Sequence, residues 1–110
     1  MKHFGANYIF NGKSFIKNSC LSFNDDNNLT NIGIENSALK EKERMYFFNG
    51  ILCPYFDIKQ MTKNKMPMRD FLFSLGLHFD DSSRLPIVLL EGIDLQNMDF
   101  TNNTIAREIY

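Results

Sequence analysis

The stretch ANYIFNGKSFIKNSCLSF, residues 6–23, decides the fold because two apolar runs flank Asn11–Gly12 within it. Asn-Gly is a strong signal for a β-hairpin, since both residues tolerate the positive φ angles of a tight turn. The pattern predicts one strand at about residues 3–10 and a second at about residues 14–23. A chain that begins this way favours a β-rich fold.

The second of these strands does not follow one strict alternation of apolar and polar side chains. Phe15, Cys20 and Phe23 would fall on different faces of a regular strand. We therefore expect a bulge near Asn18–Ser19, which would restore one apolar face.

The next segment, NDDNNLTNIGI at residues 24–34, predicts a turn followed by a third strand. Asn and Asp side chains stabilise turns by bonding to nearby backbone groups. The acidic run lacks the twelve-residue ligand spacing and the distal Glu of a calcium loop, so we interpret it as a plain turn. The polar residues 35–44 are either a loop or a short frayed helix.

Residues 45–56, MYFFNGILCPYF, return to apolar character around Asn49–Gly50. This pattern fits a hairpin or a single strand interrupted by a glycine. Pro54 should end regular pairing, because proline has no N–H to donate to a neighbouring strand.

One helix is predicted in PMRDFLFSLG, residues 67–76. Pro67 suits the first helical position and Gly76 suits the position just past the end. Four apolar side chains follow helical spacing on one face, which should be buried: Met68, Phe71, Leu72 and Leu75.

The C-terminal part contains the most strand-like run of the chain, LPIVLLEGIDL at residues 85–95. Four consecutive aliphatic residues, 87–90, imply burial on both faces. Pro86 should stand where this strand begins. The last run, TIAREIY at residues 104–110, fits a strand or a helix; as a strand it would place Ile105, Arg107 and Ile109 on one face.

Composition indicates an ordinary globular chain of 110 residues, with 44% hydrophobic and 23% charged residues and a net charge of −1. The run KEKER at residues 40–44 carries its own acidic residues, so we expect no nucleic-acid partner. No apolar run approaches the roughly 20 residues that span a bilayer. The first ten residues lack the apolar core of a signal peptide, which predicts a cytoplasmic chain with reduced thiols.

The residues that could carry chemistry are sparse. His3 and His78 are the only histidines, and Asp80 and Asp81 follow His78 closely. We interpret HFDD as a surface loop rather than a metal site. The two cysteines, Cys20 and Cys53, sit in apolar runs without a nearby histidine, so we expect structural thiols. Whether they approach each other in space stays open at this point. No phosphate-binding loop or nucleophile elbow is present.

The N-terminal half resembles the start of the amidohydrolase superfamily, in the branch of cytosine, guanine and chlorohydrolase-type deaminases. The strand ANYIF and the segment DDNNLTNIG are similar to the short β-structure that begins those chains. The segment PYFDIKQMT, residues 54–62, is similar to the family pattern P-G-F-x-N-x-H-x-H. Gly50, Pro54 and Phe56 match the family at this strand exit.

The C-terminal stretch, residues 85–110, resembles the other end of the same enzymes, where the chain leaves the barrel and adds its last strands to the first ones. The segment LLEGID is similar to the family pattern L-I-E-x-x-D. The matching residues are Pro86, Leu89, Leu90, Glu91 and Asp94. The resemblance implies that both ends of this chain join in one small composite β-domain.

The departures from the family pattern bear on function. The paired histidines that supply the first two metal ligands in the family correspond to Gln60 and Thr62, and the turn glycine corresponds to Tyr55. An amide and a hydroxyl are poor substitutes for imidazole on zinc or iron. A (β/α)₈ barrel needs about 250 residues, whereas 28 residues lie between Phe56 and Leu85. The resemblance therefore implies composite-domain ends without the catalytic barrel.

We expect a single domain over residues 1–110 that is mostly β, a small β-sandwich or partly closed barrel of about six to eight strands with one short α-helix. N-terminal strands would occupy residues 1–56, a linker and the helix 57–84, and C-terminal strands 85–110. The expected role is non-catalytic, structural or protein-interacting, with no catalytic, metal-binding or cofactor-binding residues. A homodimer or another protein partner would cover apolar surface left without a barrel. The alternative is an accessory subunit that docks onto a full-length amidohydrolase and modulates it.

Overall fold

The computed structural model describes residues 2–34, 45–63 and 66–110. In chain order these ranges contain β1 (Lys2–Phe10), β2 (Phe15–Ile16), β3 (Ser19–Phe23), β4 (Leu29–Ile34), β5 (Met45–Cys53), a 3-10 helix (Ile58–Lys63), α1 (Met68–Ser74), β6 (Ile87–Glu91) and β7 (Ile105–Ile109). The strands form one seven-stranded sheet in the order β4-β3-β1-β5-β6-β7, with β2 also paired to β1. The sheet is not closed into a barrel. This confirms the predicted mostly-β class with one short helix; the segment 35–44, predicted as a loop or frayed helix, lies outside the described residues.

The N-terminal hairpin and its bulge are confirmed. Both β2 and β3 pair antiparallel with β1, so they are two pieces of one interrupted strand. Asn18 lies between the pieces with a φ of 55°. The side-chain oxygen of Asn11 accepts hydrogen bonds from the backbone N–H groups of Lys13 and Ser14, which fixes the turn.

The run around Asn49–Gly50 is a single strand, so the hairpin alternative is wrong there. β5 pairs parallel with β1, and the register shifts by one residue between Ala6 and Tyr8. The N–H of Gly50 donates to the side-chain oxygen of Asn7 at 2.7 Å, which anchors the bulge. Gly50 has a φ of 145°, and a Cβ at this position would collide with the carbonyl oxygen of Leu90. Only glycine therefore suits this position.

The two ends of the chain meet at the pairing of β5 with β6. The strands are antiparallel, with Ile51 opposite Leu90 and Cys53 opposite Val88. β6 is buried on both faces, as its aliphatic run predicted. Pro86 immediately precedes β6, which also agrees with the prediction. Among the residues described, no helix is both long and apolar enough to span a bilayer.

The last run is a strand, since β7 pairs antiparallel with β6 along its whole length. The shared face predicted for Ile105, Arg107 and Ile109 is only partly buried. Ile109 is 7% exposed, whereas Ile105 is 57% exposed. Arg107 is also exposed at the surface. The outer part of this strand therefore leaves apolar area in contact with water.

Two apolar cores lie on opposite faces of the sheet, because neighbouring residues along a strand point to opposite sides. The core on the helix side consists of Phe10, Ile51, Cys53, Phe56, Met68, Phe71, Leu72, Val88, Leu90 and Met98. The core on the other side consists of Phe4, Ala6, Ile9, Leu21, Phe23, Leu52, Ile87, Leu89 and Ile109. Phe79 and Leu85, from the segment between α1 and β6, pack against this second core.

α1 covers the first core with the face that its spacing predicted. Met68, Phe71 and Leu72 are buried, and Leu75 is half-buried against the same cluster. Pro67 stands one position earlier than expected, at the residue before the helix, and Gly76 follows the end with a φ of 64° as expected. The first N–H of the helix, that of Met68, donates to the carboxylate of Asp99 at 2.9 Å.

Candidate interaction surface

The segment that resembles the approach to an amidohydrolase site leaves the sheet at the end of β5. Pro54 is buried, and Phe56 is 4% exposed in the core beside Phe71, with ring centroids 5.6 Å apart. Tyr55, between them, points outward and is half exposed. Pro54 and Phe56 therefore serve packing, while Tyr55 belongs to the surface.

Gln60 and Thr62 both lie on the 3-10 helix. The backbone N–H of Gln60 donates to the carbonyl oxygen of Asp57 at 3.0 Å, and the Gln60 side chain is exposed. Ile58 and Met61 of the same helix pack against the core under α1. Gln60, which corresponds to a histidine ligand in the family pattern, thus lies on a surface turn.

The two histidines lie in different surroundings. His3 is buried on β1, with Nδ1 at 2.7 Å from the hydroxyl of Ser22. His78 is exposed, with Nε2 at 2.9 Å from the carboxylate of Asp80. Hydrogen bonds from Ser82, together with nearby His78, hold the pKa of Asp80 below its usual value. Within residues 2–34, 45–63 and 66–110 no three His, Cys, Asp or Glu side chains are grouped to hold a metal ion.

The cysteines are buried and not joined by a disulfide. Cys20 lies on β3 opposite Gly5 of β1, and Cys53 lies on β5 opposite Val88 of β6. Because β1 lies between β3 and β5, the two thiols are not neighbours. Burial raises the pKa of the Cys53 thiol well above its usual value, which leaves that sulfur protonated and unreactive.

Two acidic segments form turns that side-chain hydrogen bonds stabilise. Asn24 accepts backbone hydrogen bonds from Asp26 and Asn28, so NDDNN is the predicted turn. Asp94 accepts hydrogen bonds from the N–H groups of Gln96 and Asn97 in another turn. These bonds hold the pKa of Asp94 below its usual value. Both acidic segments therefore stabilise local backbone.

The surface that the sequence did not reveal lies along the outer edge of β7. In the part of the chain that the structure describes, β6 is the only strand paired with β7. Two exposed apolar residues lie on this strand or directly after it, Ile105 and Tyr110, which are 57% and 69% exposed, and Tyr55, 50% exposed, lies near Glu108 of the same strand. We call this set of residues, with the free side of β7, the edge surface.

A groove adjoins the edge surface between the 3-10 helix and the start of β7. Its volume is about 310 Å³. Three of its lining residues come from the helix and three from the strand region: Ile58, Lys59, Met61, Thr104, Ile105 and Ala106. The groove is therefore mainly apolar, with one lysine at its wall.

The charged residues of β7 are held in place by their neighbours. The Nε atom of Arg107 donates to the carboxylate of Glu91 at 2.7 Å, and its guanidinium lies over the Phe48 ring, 5.8 Å from the ring centre. The charge of Glu108 and a hydrogen bond to it raise the pKa of Tyr55. Tyr55 and Glu108 are therefore close neighbours on this surface.

A free strand edge beside an apolar groove can bind another extended segment. The edge offers backbone donors and acceptors for a new strand, and the groove can receive side chains of that strand. The comparisons give no further guide, because the chain matches no protein-family model, no curated protein and no solved structure.

Proposed function

We propose that this chain is a non-catalytic, barrel-less relative of the amidohydrolase composite domain, with a structural or protein-interaction role. The observation that carries the interaction role is the edge surface, where Tyr55, Ile105 and Tyr110 expose apolar area beside the free edge of β7. Large exposed apolar side chains grouped in this way are typical of sites that bind another protein.

The descent from a composite domain is supported by the pairing of β5 with β6. The resemblance assigns these two strands to opposite ends of a much longer enzyme, and it implies that the ends join in one sheet. Here Leu52 of β5 lies directly opposite Leu89 of β6. Pro54 and Phe56 then turn the chain into the core, and the 3-10 helix and α1 connect the two halves.

The absence of catalysis is supported by the chemistry of the positions that correspond to ligands in the family. Gln60 presents a neutral amide to solvent on the 3-10 helix. Zinc in proteins is bound by thiolate, imidazole or carboxylate groups. An exposed amide on a surface turn is therefore a poor first ligand.

The test of this proposal combines metal analysis with activity assays on the purified chain. We expect substoichiometric zinc and iron, and no turnover in a panel of deaminase and hydrolase substrates with zinc, iron or manganese added. The matched control is Gln60→Ala, which should leave both results unchanged. Stoichiometric zinc that depends on Gln60, together with turnover, would refute a non-catalytic role.

The interaction role includes self-association as a homodimer in the cytoplasm. A symmetric pair would cover the edge surfaces of both copies, and two-fold dimers are the commonest oligomers. Light scattering over a concentration series tests this association. The cytoplasmic assignment agrees with two buried cysteines that are not joined to each other by a disulfide, and it is tested by fractionation of cells that express the chain.

The same edge also suits the alternative of an accessory subunit for a full-length amidohydrolase. In that case the exposed apolar residues Tyr55, Ile105 and Tyr110 would contact the enzyme instead of a second copy. Co-purification of the chain with such an enzyme, lost when Ile105 is changed to Lys, would favour this role over self-association.

A further inference from the structure

We propose that β7 pairs antiparallel with β7 of a second copy, about a two-fold axis at Arg107, to form one continuous sheet across the dimer. This inference rests on the proposed interaction role and names its partner and register. It places Ile105 opposite Ile109 of the second copy, Ala106 opposite Glu108, and Thr104 opposite Tyr110.

The apolar side chains of the edge surface select this register. Side chains directly opposite each other on antiparallel strands lie on the same face and contact each other. Ile105, 57% exposed in one copy, would lie against Ile109 of the other. Tyr110, 69% exposed, would bring its ring to Thr104 of the other copy, which lines the groove with Ile58 and Met61.

The neighbouring registers leave these residues uncovered. An axis at Glu108 would bring two carboxylates face to face, and Ile105 would fall beyond Tyr110 of the second copy. An axis at Ala106 would place Ile105 opposite Arg107, and Tyr110 would fall opposite Asn102, outside the residues that line the groove. Only the axis at Arg107 covers both exposed apolar residues.

The charges along the edge are compatible with the pairing about Arg107. Two arginines meet at the axis, but each is already bonded to its own Glu91 at 2.7 Å, so two positive and two negative groups gather there. Glu108 of one copy would lie opposite Ala106 of the other, on the groove that Lys59 lines. Opposite charges thus meet across the strand pair on the groove face, while on the other face each arginine keeps the carboxylate of its own copy.

The other edge strand, β4, is less suited to self-pairing. Its beginning is covered, because the N–H of Leu29 donates to the carbonyl oxygen of Ser83. The groove beside β4 is lined by Asp80 and Asp81. Two copies meeting at this edge would bring four carboxylates together, which opposes association.

The size of the contact predicts a dimer that depends on concentration. The shared ladder spans residues 104–110 of each copy, five of which form β7, and the main added area comes from Tyr110 and Ile105. Interfaces below about 1,200 Å² belong to the weak or transient class. We therefore expect a dissociation constant in the micromolar range, with monomer at low concentration.

Cysteine cross-linking tests the register directly. Residues opposite themselves across a two-fold pair have Cα atoms about 4.5–5.5 Å apart, within disulfide range. R107C should therefore form a cross-linked dimer fastest under mild oxidation. In A106C and E108C the two introduced cysteines would lie diagonally across the strand pair, about 7–8 Å apart, and should react more slowly. Fastest reaction at Ala106 or Glu108, or no cross-link at any of the three positions, would overturn the proposal.

Sedimentation velocity on protein without introduced cysteines gives the second measurement. I105K and Y110K should each raise the dimer dissociation constant at least about tenfold, since edge lysines oppose strand pairing. The matched control is F73K, which changes an exposed ring of α1 that is remote from β7. Equal effects of all three variants, or a strict monomer up to about 1 mM, would overturn the β7 dimer. Zinc with turnover would overturn the proposed function instead, whatever happens at β7.

Discussion

Replacing Phe71 with alanine should destabilise the fold strongly, because α1 holds its side of the sheet through this ring. Phe71 is 1% exposed and makes edge-to-face contacts with Phe56 and Phe100, at centroid distances of 5.6 and 5.9 Å. Buried Phe→Ala changes cost about 3–5 kcal/mol. Each aromatic pair contributes about 0.5–1.5 kcal/mol of that sum.

The matched control is Phe73→Ala, the same change two residues later on the same helix. Phe73 is 47% exposed and contacts the edge of the Phe10 ring at 5.3 Å. About half of its area is already in water, and alanine is the better helix former by about 0.5 kcal/mol. The expected loss is therefore about 1 kcal/mol, which leaves a difference of about 2–4 kcal/mol between the variants.

Urea unfolding followed by circular dichroism measures this difference. Both variants should keep the slope of the wild-type transition, since the area exposed on unfolding changes little. A domain of this size has a total free energy of unfolding of about 5–15 kcal/mol, so F71A should lower the urea midpoint by a large fraction of its wild-type value. If F71A loses no more stability than F73A, then α1 does not pack on the sheet through Phe71 and the assignment of its buried face is wrong.

Three further predictions concern single positions. Gly50→Ala should lower the unfolding midpoint much more than Gly76→Ala, because both glycines have positive φ but only the first has no room for a Cβ; equal midpoints would contradict this. Asp99→Ala should destabilise α1 by removing the acceptor of its first N–H. Hydrogen bonds lower the pKa of Asp99 in the folded state, so its stabilisation is present above the unfolded value of about 3.9 and is lost as pH falls through the lower folded value. Unfolding midpoints between about pH 2 and pH 7 should thus converge for wild type and D99A in acid, and a constant gap would contradict the assignment. Tyr55 should titrate above the ordinary tyrosine range, because Glu108 raises its pKa. Any stabilisation from their contact is therefore complete below the unfolded pKa of about 10 and lost as pH rises through the folded value; ultraviolet titration of wild type against Y55F checks this, with an unshifted phenol as the contrary result.

Local patterns predicted the elements whose signals are contained within a few residues. The hairpin follows from Asn11–Gly12, and the bulge at Asn18 follows from the broken alternation around it. The buried face of α1 follows from helical spacing alone. In each case the side chains that form the sequence pattern also make the contacts that stabilise the element.

Where a local sequence pattern fits two structures, contacts with distant parts of the chain decide between them. Asn49–Gly50 carries the same dipeptide as the first turn, but the side chain of Asn7 binds the Gly50 N–H and holds the chain as a bulged strand. The spacing of Ile105 and Ile109 fits one turn of helix as well as a strand, and pairing with β6 decides for the strand. Tertiary hydrogen bonds outweigh local preference at both positions.

The edge surface could not be predicted from the sequence, because exposure depends on which strand lacks a neighbour. Ile105 and Ile109 have the same side chain and lie on the same strand, yet Ile105 is exposed and Ile109 is buried. Both lie on the outermost strand, but Ile109 lies opposite Ile87 of β6 whereas Ile105 lies opposite Glu91. Sheet order is a property of long-range pairing, which periodicity does not encode.

The parallel pairing of β1 with β5 has a consequence for the order of folding. His3 lies opposite Met45, so the centre of the sheet joins residues more than 40 positions apart in the chain. The hairpin of β1 with β2 and β3 needs only a short loop and can form within microseconds. The β1–β5 pair must first close a long loop, and such distant contacts slow the search for the native state. We therefore expect the rate-limiting step to be the arrival of β5 beside a preformed hairpin, with β6 and β7 joining afterwards.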